Sequence, residues 1–384
     1  MTHEIELLKH KRAYDVVVAG AGIAGISAAL ASARKGAKTI LIEQEWMVGG
    51  LATLGMVAMY LPLCDGYGKQ VSFGIAEELL RLSIKDDFEA TSQLSDWLNG
   101  CHKDPDGTKN RFETLFNPWL FALRAEQLLL DAGVKILYGS RIIDTVTENE
   151  KIKSVIVHNK SGATEISGIN FVDCTGDADL CLMSSAKTVL FERKNVLAGW
   201  YFAMDKSGKN RLHMFGGADI TDKMEKAGFK ANNLSELRFS GIDGDENSEM
   251  MLLSHRMTLR DIDNHILDDG KFTPTAISAI PQLRKTRRLE GIVTADSNPD
   301  SYPEDTIGIV ANWRERGPCY AIPYTALYGK DIKNLAVAGR CISVTDDLWE
   351  YTRAIPGCAV TGEAVGIAAA TCKNFEDVSV SEIK

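Results

Sequence analysis

The sequence predicts an α/β fold in which a parallel sheet with an attached β-meander carries an inserted α+β domain. Three observations support this prediction. A β-branched run at Tyr14–Ala19 leads directly into a glycine-rich turn and a helical pattern. Several short apolar runs follow between positions 134 and 167, and a strand pattern with an Ala/Gly-rich helix returns near the end of the chain. Strands that alternate with helices are typical of a parallel sheet.

The first element is a βαβ unit. Tyr14–Ala19 is a buried-strand pattern, and Gly20, Gly22 and Gly25 follow it as G-x-G-x-x-G. Apolar residues then recur at helical spacing until a second strand pattern begins at Thr39–Ile42. The spacing therefore predicts a strand, a tight turn, a helix and a second parallel strand.

The glycine-rich turn is suited to a dinucleotide. Gly20 permits the tight turn, Gly22 lets backbone N–H groups approach a pyrophosphate, and Gly25 lets the helix pack closely on the strand. Glu43 ends the second strand, near the offset of about 20 residues at which an acidic side chain binds a ribose hydroxyl. A purely structural turn is the alternative, but the matching strands and helix favour a Rossmann-like domain that binds an unphosphorylated adenosine diphosphate group.

A Gly-Gly pair indicates which dinucleotide is bound. Gly49 and Gly50 lie in the stretch Gln44–Thr53, where small residues let the main chain pass close to a bulky planar ligand. At this point the sequence resembles the FAD-dependent oxidoreductases of the glutathione-reductase-like superfamily. More narrowly, it resembles a bacterial family of FAD-dependent oxidoreductases that is distantly similar to fumarate reductase flavoproteins.

Further segments extend this resemblance over nearly the whole chain. Phe171–Asp179 is similar to the D-A-T-G-D strand end of these proteins, with Cys174 in place of the usual alanine. Leu283–Gly291 resembles their Arg-rich motif. Leu335–Ser343 and Arg353–Gly366 resemble the closing strand and helix, which reach the ribityl chain and the pyrimidine of the flavin.

The resemblance implies a Rossmann-like FAD-binding domain with a defined set of cofactor-binding residues. We expect FAD to be bound non-covalently, because no histidine occurs at the Gly-Gly turn. The residues expected to bind the cofactor are Gly20, Gly22, Ile23, Ala24, Gly25, Glu43, Gln44, Gly49, Gly50, Leu51, Ala52, Thr53, Ile142, Cys174, Thr175, Gly176, Asp177, Gly339, Arg340, Ala359, Val360 and Thr361.

The FAD-binding domain is expected to be discontinuous. It comprises residues 12–183 and 320–375, with a polar insertion at about 87–118. Residues 184–319 mix strand-like runs with a helical stretch at Glu249–Leu267, and we expect them to form the substrate or cap domain. The acidic run Asp243–Asn247 in this segment is interpreted as a solvated turn.

Candidate catalytic residues are polar groups on segments that are expected to approach the flavin. Arg284 and Arg287 lie in the Arg-rich motif, and a guanidinium is suited to bidentate capture of a carboxylate or to stabilising an enolate-like transition state. Glu350, Tyr351 and Arg353 are candidates by position alone, since related proteins usually have a less acidic loop there that contains a histidine. A solvated surface or mutual ion pairs are the alternative roles for these side chains.

The absence of two motifs from the sequence limits the class of reaction that we expect. The chain has no second G-x-G-x-x-G and no C-x-x-C pair, so we do not expect a disulfide reductase with its own NAD(P)H domain. We expect a hydride transfer between flavin N5 and a small polar organic substrate, with an electron carrier, a quinone or oxygen as the second partner. The alternatives are a flavin monooxygenase or halogenase, or a non-catalytic flavin-binding subunit of a redox complex.

Composition excludes several other classes of function. The formal net charge is -9 at pH 7, so the average surface repels nucleic acid and anionic lipid. No stretch approaches the ~18 consecutive apolar residues of a membrane span, and we expect a cytoplasmic protein. The 8 cysteines and 7 histidines form no close metal-binding pattern, so no metal is expected. His213 and His255 are interpreted as ordinary surface or core residues.

Overall fold

The computed structural model describes residues 8–9, 13–86, 91, 94–99, 112–217, 219–230 and 234–384. Most of the predicted polar insertion at 87–118 lies outside these residues. Its described part contains a short helix at Ser95–Leu98 and a short strand at Thr114–Leu115.

Strands and helices are numbered here in chain order. The strands are β1 (Leu8–Lys9), β2 (Tyr14–Ala19), β3 (Thr39–Ile42), β4 (Met59–Tyr60), β5 (Thr114–Leu115), β6 (Lys135–Leu137), β7 (Arg141–Glu148), β8 (Lys151–Asn159), β9 (Gly162–Asp173), β10 (Thr188–Leu190), β11 (Asn195–Val196), β12 (Ala198–Met204), β13 (Asn210–Gly216), β14 (Arg238–Phe239), β15 (Thr273–Ile277), β16 (Arg287–Leu289), β17 (Thr306–Ala311), β18 (Cys319–Pro323) and β19 (Leu335–Val337). The helices are α1 (Ile23–Arg34), α2 (Ile75–Ile84), α3 (Ser95–Leu98), α4 (Pro118–Asp131), α5 (Asp179–Met183), α6 (Asp222–Lys226), α7 (Gly244–Asp269), α8 (Asp346–Thr352), α9 (Ile355–Thr371) and α10 (Val380–Ile383).

The largest sheet has eight strands in the order β6-β3-β2-β9-β8-β7, with β1 and β19 also paired to β9. β6, β3, β2, β9 and β19 run parallel to their neighbours in this part of the sheet. β7, β8 and β9 form an antiparallel meander. The 12-residue strand β9 joins the two parts, because its first half pairs with β8 and its second half with β2 and β19. The predicted parallel sheet with a meander is confirmed.

The parallel strands end in register at one edge of the sheet. Ala19 is paired with both Ile42 and Asp173, and Asp173 is paired with Val337. The loops that follow these four strands therefore open side by side. Ligands of open parallel sheets bind at this carboxyl-terminal edge.

Two helices lie against each other with their backbones in contact. A Cβ atom at Gly362 of α9 would be 2.3 Å from the carbonyl oxygen of Ala24, and one at Gly366 would be 2.3 Å from that of Ala28. No side chain larger than hydrogen fits at these two positions. The Ala/Gly-rich composition of α9 thus lets the end of the chain pack directly on α1.

Residues 184–319 form smaller sheets and one long helix. β13, β12 and β15 make a three-stranded antiparallel sheet, and α7 packs on β12. The interpretation of Asp243–Asn247 as a solvated turn is wrong, because the Asp243 side chain accepts a hydrogen bond from the Glu246 N–H and caps α7. Gly270, in the left-handed conformation, ends the helix.

The predicted domain boundaries stay a prediction. β18 straddles the expected boundary at residue 320, since it runs from Cys319 to Pro323 and pairs with β17.

Within the described part of the chain, no single helix is both long and apolar enough to cross a membrane. Only α8 and α9 taken together, with a bend of 88° between them, meet the length and composition criteria.

Candidate active site

A cavity of about 530 Å³ opens at the edge where the parallel strands end. Most of the residues expected to bind the cofactor line it, namely Gly20, Gly22, Ile23, Ala24, Glu43, Gln44, Gly49, Gly50, Leu51, Ala52, Ile142, Cys174, Thr175, Gly176, Asp177, Gly339 and Arg340. A second group of lining residues comes from the segment 184–319, including Gly241, Pro281 and Arg284. The cavity thus lies between the parallel sheet and this segment.

The glycine-rich turn exposes backbone at one end of the cavity. Gly20 has a φ of +89°, and a Cβ atom there would lie 2.7 Å from the Cys174 carbonyl oxygen. Gly22 begins α1, and a Cβ atom on it would meet no protein atom within 4 Å. The free N–H groups at the start of α1 and its helix dipole favour an anionic ligand here.

Glu43 is buried and connects the end of β3 to this turn. Its carboxylate accepts hydrogen bonds from the backbone N–H of Ala21 at 2.6 Å and of Glu45 at 2.9 Å. Burial raises the pKa of Glu43, and these two backbone N–H groups oppose the shift. The carboxylate retains further acceptor positions for a ribose hydroxyl. Its backbone contacts were not predictable from the spacing alone.

Gly25 and Thr53 do not line the cavity, although both are in the predicted set. A Cβ atom at Gly25 would lie 1.8 Å from the Gly20 carbonyl oxygen, so Gly25 acts in packing. Thr53 is fully buried, and its hydroxyl donates to the Val48 carbonyl at 2.8 Å. Both residues shape the turns that carry the lining backbone.

The start of α9 reaches the cavity one turn earlier than expected. Ala354, Ile355 and Cys358 line the cavity. The predicted residues Ala359, Val360 and Thr361 are buried and do not line it, because successive helical positions point in different directions. The Thr361 hydroxyl instead accepts a hydrogen bond from the Gly339 N–H at 3.0 Å and fixes the turn after β19.

Arg284 is a buried cation on the cavity wall. Only 7% of its surface is exposed. Its guanidinium lies 4.9 Å from the Trp200 ring centre and 3.5 Å from the Gln282 side-chain oxygen. No described carboxylate forms an ion pair with it. Burial, and then the nearby charge of Arg353, lower the pKa of Arg284 to about 9.

Glu350 is the counter-ion of a buried cationic cluster. Its carboxylate lies 2.6 Å from Arg353, 2.7 Å from Arg314 and 3.8 Å from Lys285. Burial alone would raise the pKa of Glu350, but these three cations outweigh it and lower the pKa to about 2. Glu350 lines a small adjoining cavity of about 20 Å³ rather than the large one.

Of the five predicted catalytic residues, Arg284 and Arg353 line the large cavity, and Arg287, Glu350 and Tyr351 do not. Arg287 donates to the Asp177 carbonyl at 2.9 Å and pairs with Asp179 at 2.7 Å, so its guanidinium is occupied by the loop after β9. The Tyr351 ring stacks on another tyrosine, and its hydroxyl accepts a hydrogen bond from an asparagine. These side chains have protein partners that the sequence pattern does not reveal.

Asp179 is a cavity residue that the sequence analysis did not select. It follows the β9 strand end and lines the cavity beside Asp177. Burial, followed by the charges of Asp177 and Asp173, raises the pKa of Asp179 to about 6, although Arg287 opposes the shift. The sequence does contain a signal for an acidic site here, since three aspartates occur within the seven residues 173–179.

The FAD dependent oxidoreductase family matches residues 15–233 and 275–384, which is most of the chain. The chain belongs to this family. FAD is therefore its cofactor, and the flavoprotein is an oxidoreductase with a Rossmann-like FAD-binding domain and an additional domain.

Curated relatives match parts of the flavoprotein, and solved structures align with most of it. Thioredoxin reductase of Ureaplasma parvum serovar 3 is 30% identical over 86 residues, which cover 22% of this chain and 28% of that protein. Thiamine thiazole synthase of Methanococcus maripaludis is 29% identical over 173 residues, which cover 44% of this chain and 55% of that protein. The chain thus spans about half, or less, of the length of these curated relatives. The FrdA subunit of Escherichia coli quinol fumarate reductase aligns with 95% of this chain and 70% of its own, at 14% identity and a TM-score of 0.47.

The residues present fit FAD. The cavity volume is in the range of about 300–1,000 Å³ that is usual for ligand sites. The open backbone at Gly22 would hold the pyrophosphate and Glu43 the ribose, and Ile142, another expected cofactor-binding residue, lies on the cavity wall. Individual contacts to the cofactor stay predictions.

Substitutions at two glycines of the turn are expected to have different effects, one on cofactor binding and the other on folding. Gly22→Val should change the free energy of unfolding of the apoprotein by only about 1 kcal/mol, since its Cβ meets open space. The added carbons would project where the pyrophosphate lies, so we expect FAD affinity to fall at least ~10-fold. Gly25→Ala should instead lower the free energy of unfolding by about 3 kcal/mol. Chemical denaturation of the apoproteins and fluorescence titration with FAD measure both quantities, and normal FAD binding by Gly22→Val would contradict this placement.

Glu350→Gln should be strongly destabilising. Glu350 is the one carboxylate in the described part of the chain that pairs with all three cations of the buried cationic cluster, and its removal is expected to cost about 3–5 kcal/mol of unfolding free energy. Because the folded-state pKa of Glu350 lies below its usual 4.5, its stabilising contribution is present above pH 4.5 and is lost as the pH falls toward about 2. Urea unfolding between these pH values should show this loss in the wild type and not in Glu350→Gln. Glu148→Gln, which alters an exposed carboxylate on β7, is the matched control.

Proposed function

We propose that this flavoprotein transfers a hydride between FAD and a small organic substrate that bears a carboxylate or a similar anionic group. The observation that carries the proposal is the buried guanidinium of Arg284, which faces the cavity with no ion-pair partner among the described residues. Burial of an unpaired charge costs several kcal/mol. A bound anion would remove that cost.

The charges around Arg284 support an anionic substrate over a neutral one. Among the described residues, Glu350 is the only acid that pairs with Arg353, Arg314 and Lys285, and Arg284 adds a further positive charge nearby. Arg340, also on the cavity wall, has one buried guanidinium nitrogen that finds no hydrogen-bond partner in the described part of the chain. A carboxylate can accept two parallel hydrogen bonds from a guanidinium, which would fix the orientation of the substrate as well as bind it.

The chain's own residues would bind the substrate and move its proton. When bound, FAD supplies the acceptor or donor for the hydride. Arg284 would hold the anionic group of the substrate at the cavity wall. We assign the proton to Asp179, because a carboxyl group with a pKa of about 6 exchanges a proton readily near neutral pH. Arg353 would contribute through charge, since its guanidinium is held by Glu350.

The second redox partner is proposed to be an electron carrier, a quinone or oxygen, and FAD to be non-covalent. The absence of a second G-x-G-x-x-G and of a C-x-x-C pair supports the choice of redox partner, and the absence of a histidine at the Gly-Gly turn supports non-covalent FAD. Rapid oxygen consumption stimulated by NADPH would favour a monooxygenase instead. A flavin that no small molecule reduces or reoxidises would favour a non-catalytic subunit.

The proposed substrate class can be tested with matched pairs of compounds. Hydroxy acids, amino acids and enoates are each compared with their neutral amides as reductants or oxidants of the bound flavin, followed by its visible absorbance under anaerobic conditions. We expect only the acids to react. Arg284→Met should reduce kcat/KM for the acid by roughly 10–150-fold, the equivalent of a charged hydrogen bond of about 1.5–3 kcal/mol, with FAD still bound.

Two controls make the Arg284 result specific. Arg211→Gln removes an exposed arginine that pairs with Asp205 far from the cavity lining, and it should not change kcat/KM. Arg284→Met should be at least as stable as the wild type, because it removes an unpaired buried charge. Equal reaction of acids and amides, or unchanged kcat/KM in Arg284→Met, would contradict the proposal.

The role assigned to Asp179 predicts a specific pH dependence. In the direction of substrate oxidation, the carboxylate must be ionised to accept the proton, so the rate of flavin reduction should rise as the pH increases through about 6. Asp179→Asn should remove this step, and Asp179→Glu should retain a titration. Stopped-flow measurement of flavin reduction across pH tests this, with Asp144→Asn on β7 as the control. An unaltered pH profile in Asp179→Asn would exclude Asp179 as the proton acceptor.

A further inference from the structure

A second cluster of chemically competent side chains lies between β13 and α7. His213 comes from the strand, and Asp261 and His265 come from the helix. One ligand atom from each of the three lies within 4.8 Å of the others. Asp261 and His265 are four residues apart and therefore lie on the same face of α7. None of these residues lines the flavin cavity.

We propose that His213, Asp261 and His265 form a Zn²⁺ site. Two imidazoles and one carboxylate are a ligand set that Zn²⁺ uses in proteins, with water completing the coordination. The Nε2 atom of His213 is buried and has no hydrogen-bond partner within the described part of the chain. An unsatisfied buried polar atom is unfavourable, and metal coordination in this cluster would relieve it.

Neighbouring side chains hold the three ligands in place. The Tyr201 hydroxyl donates to the Asp261 carboxylate at 2.6 Å, a contact that orients the carboxylate. The His213 ring stacks on Tyr201 at 4.9 Å, and the His265 ring stacks on Phe272 at 4.7 Å. A metal binds the neutral form of an imidazole, so Zn²⁺ binding is expected to weaken at acid pH.

The location indicates a structural role for the ion. α7 begins at the flavin cavity, where Gly244 and Asn247 are lining residues. Asp261 lies 14 residues beyond Asn247, which corresponds to about 21 Å along the helix axis at 1.5 Å per residue. None of the three ligands lines the cavity, so an ion held there would not contact the flavin or the substrate directly. It would instead join α7 to the sheet formed by β13, β12 and β15, so binding should stabilise this part of the fold.

The test uses the full-length, FAD-loaded protein after dialysis against a chelator. Isothermal titration with ZnCl₂ should show one Zn²⁺ per chain, and Zn²⁺ should raise the melting temperature without altering the flavin spectrum. His213→Phe keeps an aromatic ring against Tyr201 but removes both nitrogens, and Asp261→Asn keeps the side-chain shape but removes the charge. Each is expected to weaken Zn²⁺ binding at least ~10-fold. His255→Ala, an exposed histidine on the same helix, should bind as the wild type does.

Two results would overturn the proposal. One is the absence of stoichiometric Zn²⁺ binding by wild-type protein that is folded and FAD-loaded, which would identify the cluster as aromatic packing alone. The other is equal Zn²⁺ affinity in the wild type and in a folded His213→Phe variant, which would place the ion elsewhere. Elemental analysis after gel filtration provides an independent measure of the metal content in each variant.

Discussion

The in-register ending of four parallel strands is the constraint on which the rest of the structure depends. Because Ala19, Ile42, Asp173 and Val337 lie in one row, the loops that follow them open onto a common cavity. These loops are far apart in the sequence. Close packing of α9 on α1 brings the last of them into place, and the glycines of α9 make that approach sterically feasible. The cavity is therefore a consequence of strand register and helix packing together.

The charged side chains at the edge of this cavity differ in whether they have a partner of opposite charge. The fold satisfies one group of buried cations with Glu350, yet it leaves Arg284 without a carboxylate among the described residues. Such a charge is unfavourable for stability, so its position on the cavity wall is best understood through binding. Asp179 is an acid whose environment favours its neutral form. Burial and the neighbouring aspartates raise its pKa to about 6, which allows proton exchange near neutral pH. These differences are why we propose that Arg284 binds an anion and that Asp179 exchanges the proton.

Sequence reasoning predicted the parts of the site that depend on local pattern. Gly20 and Gly22 of the glycine-rich turn, Glu43 and the Gly-Gly pair reside in short segments whose conformation follows from their own residues, and they line the cavity. It was less successful where tertiary packing decides orientation. Thr361 was expected at the cofactor, but the rotation of α9 about its axis, set by its contact with α1, turns it toward Gly339 instead. The partners of Arg287 are likewise a product of tertiary structure, since they lie more than a hundred positions away.

The same distinction explains why a metal site was not expected from the sequence. The sequence has no set of metal ligands close together in the chain, whereas His213 and Asp261 are brought together only when α7 folds back over its sheet. Asp261 and His265 at a spacing of four are a weak signal on their own, because such pairs are common on solvated helices. What distinguishes this pair is the buried, unsatisfied nitrogen of His213 opposite it. Arg340 at the flavin cavity likewise has a polar atom without a partner among the described residues. By contrast, Asn334, which directly precedes β19, has its side-chain oxygen and nitrogen hydrogen-bonded to backbone. At His213 the unpartnered nitrogen lies beside two further side chains that can ligate a metal, and this combination is what supports a metal site.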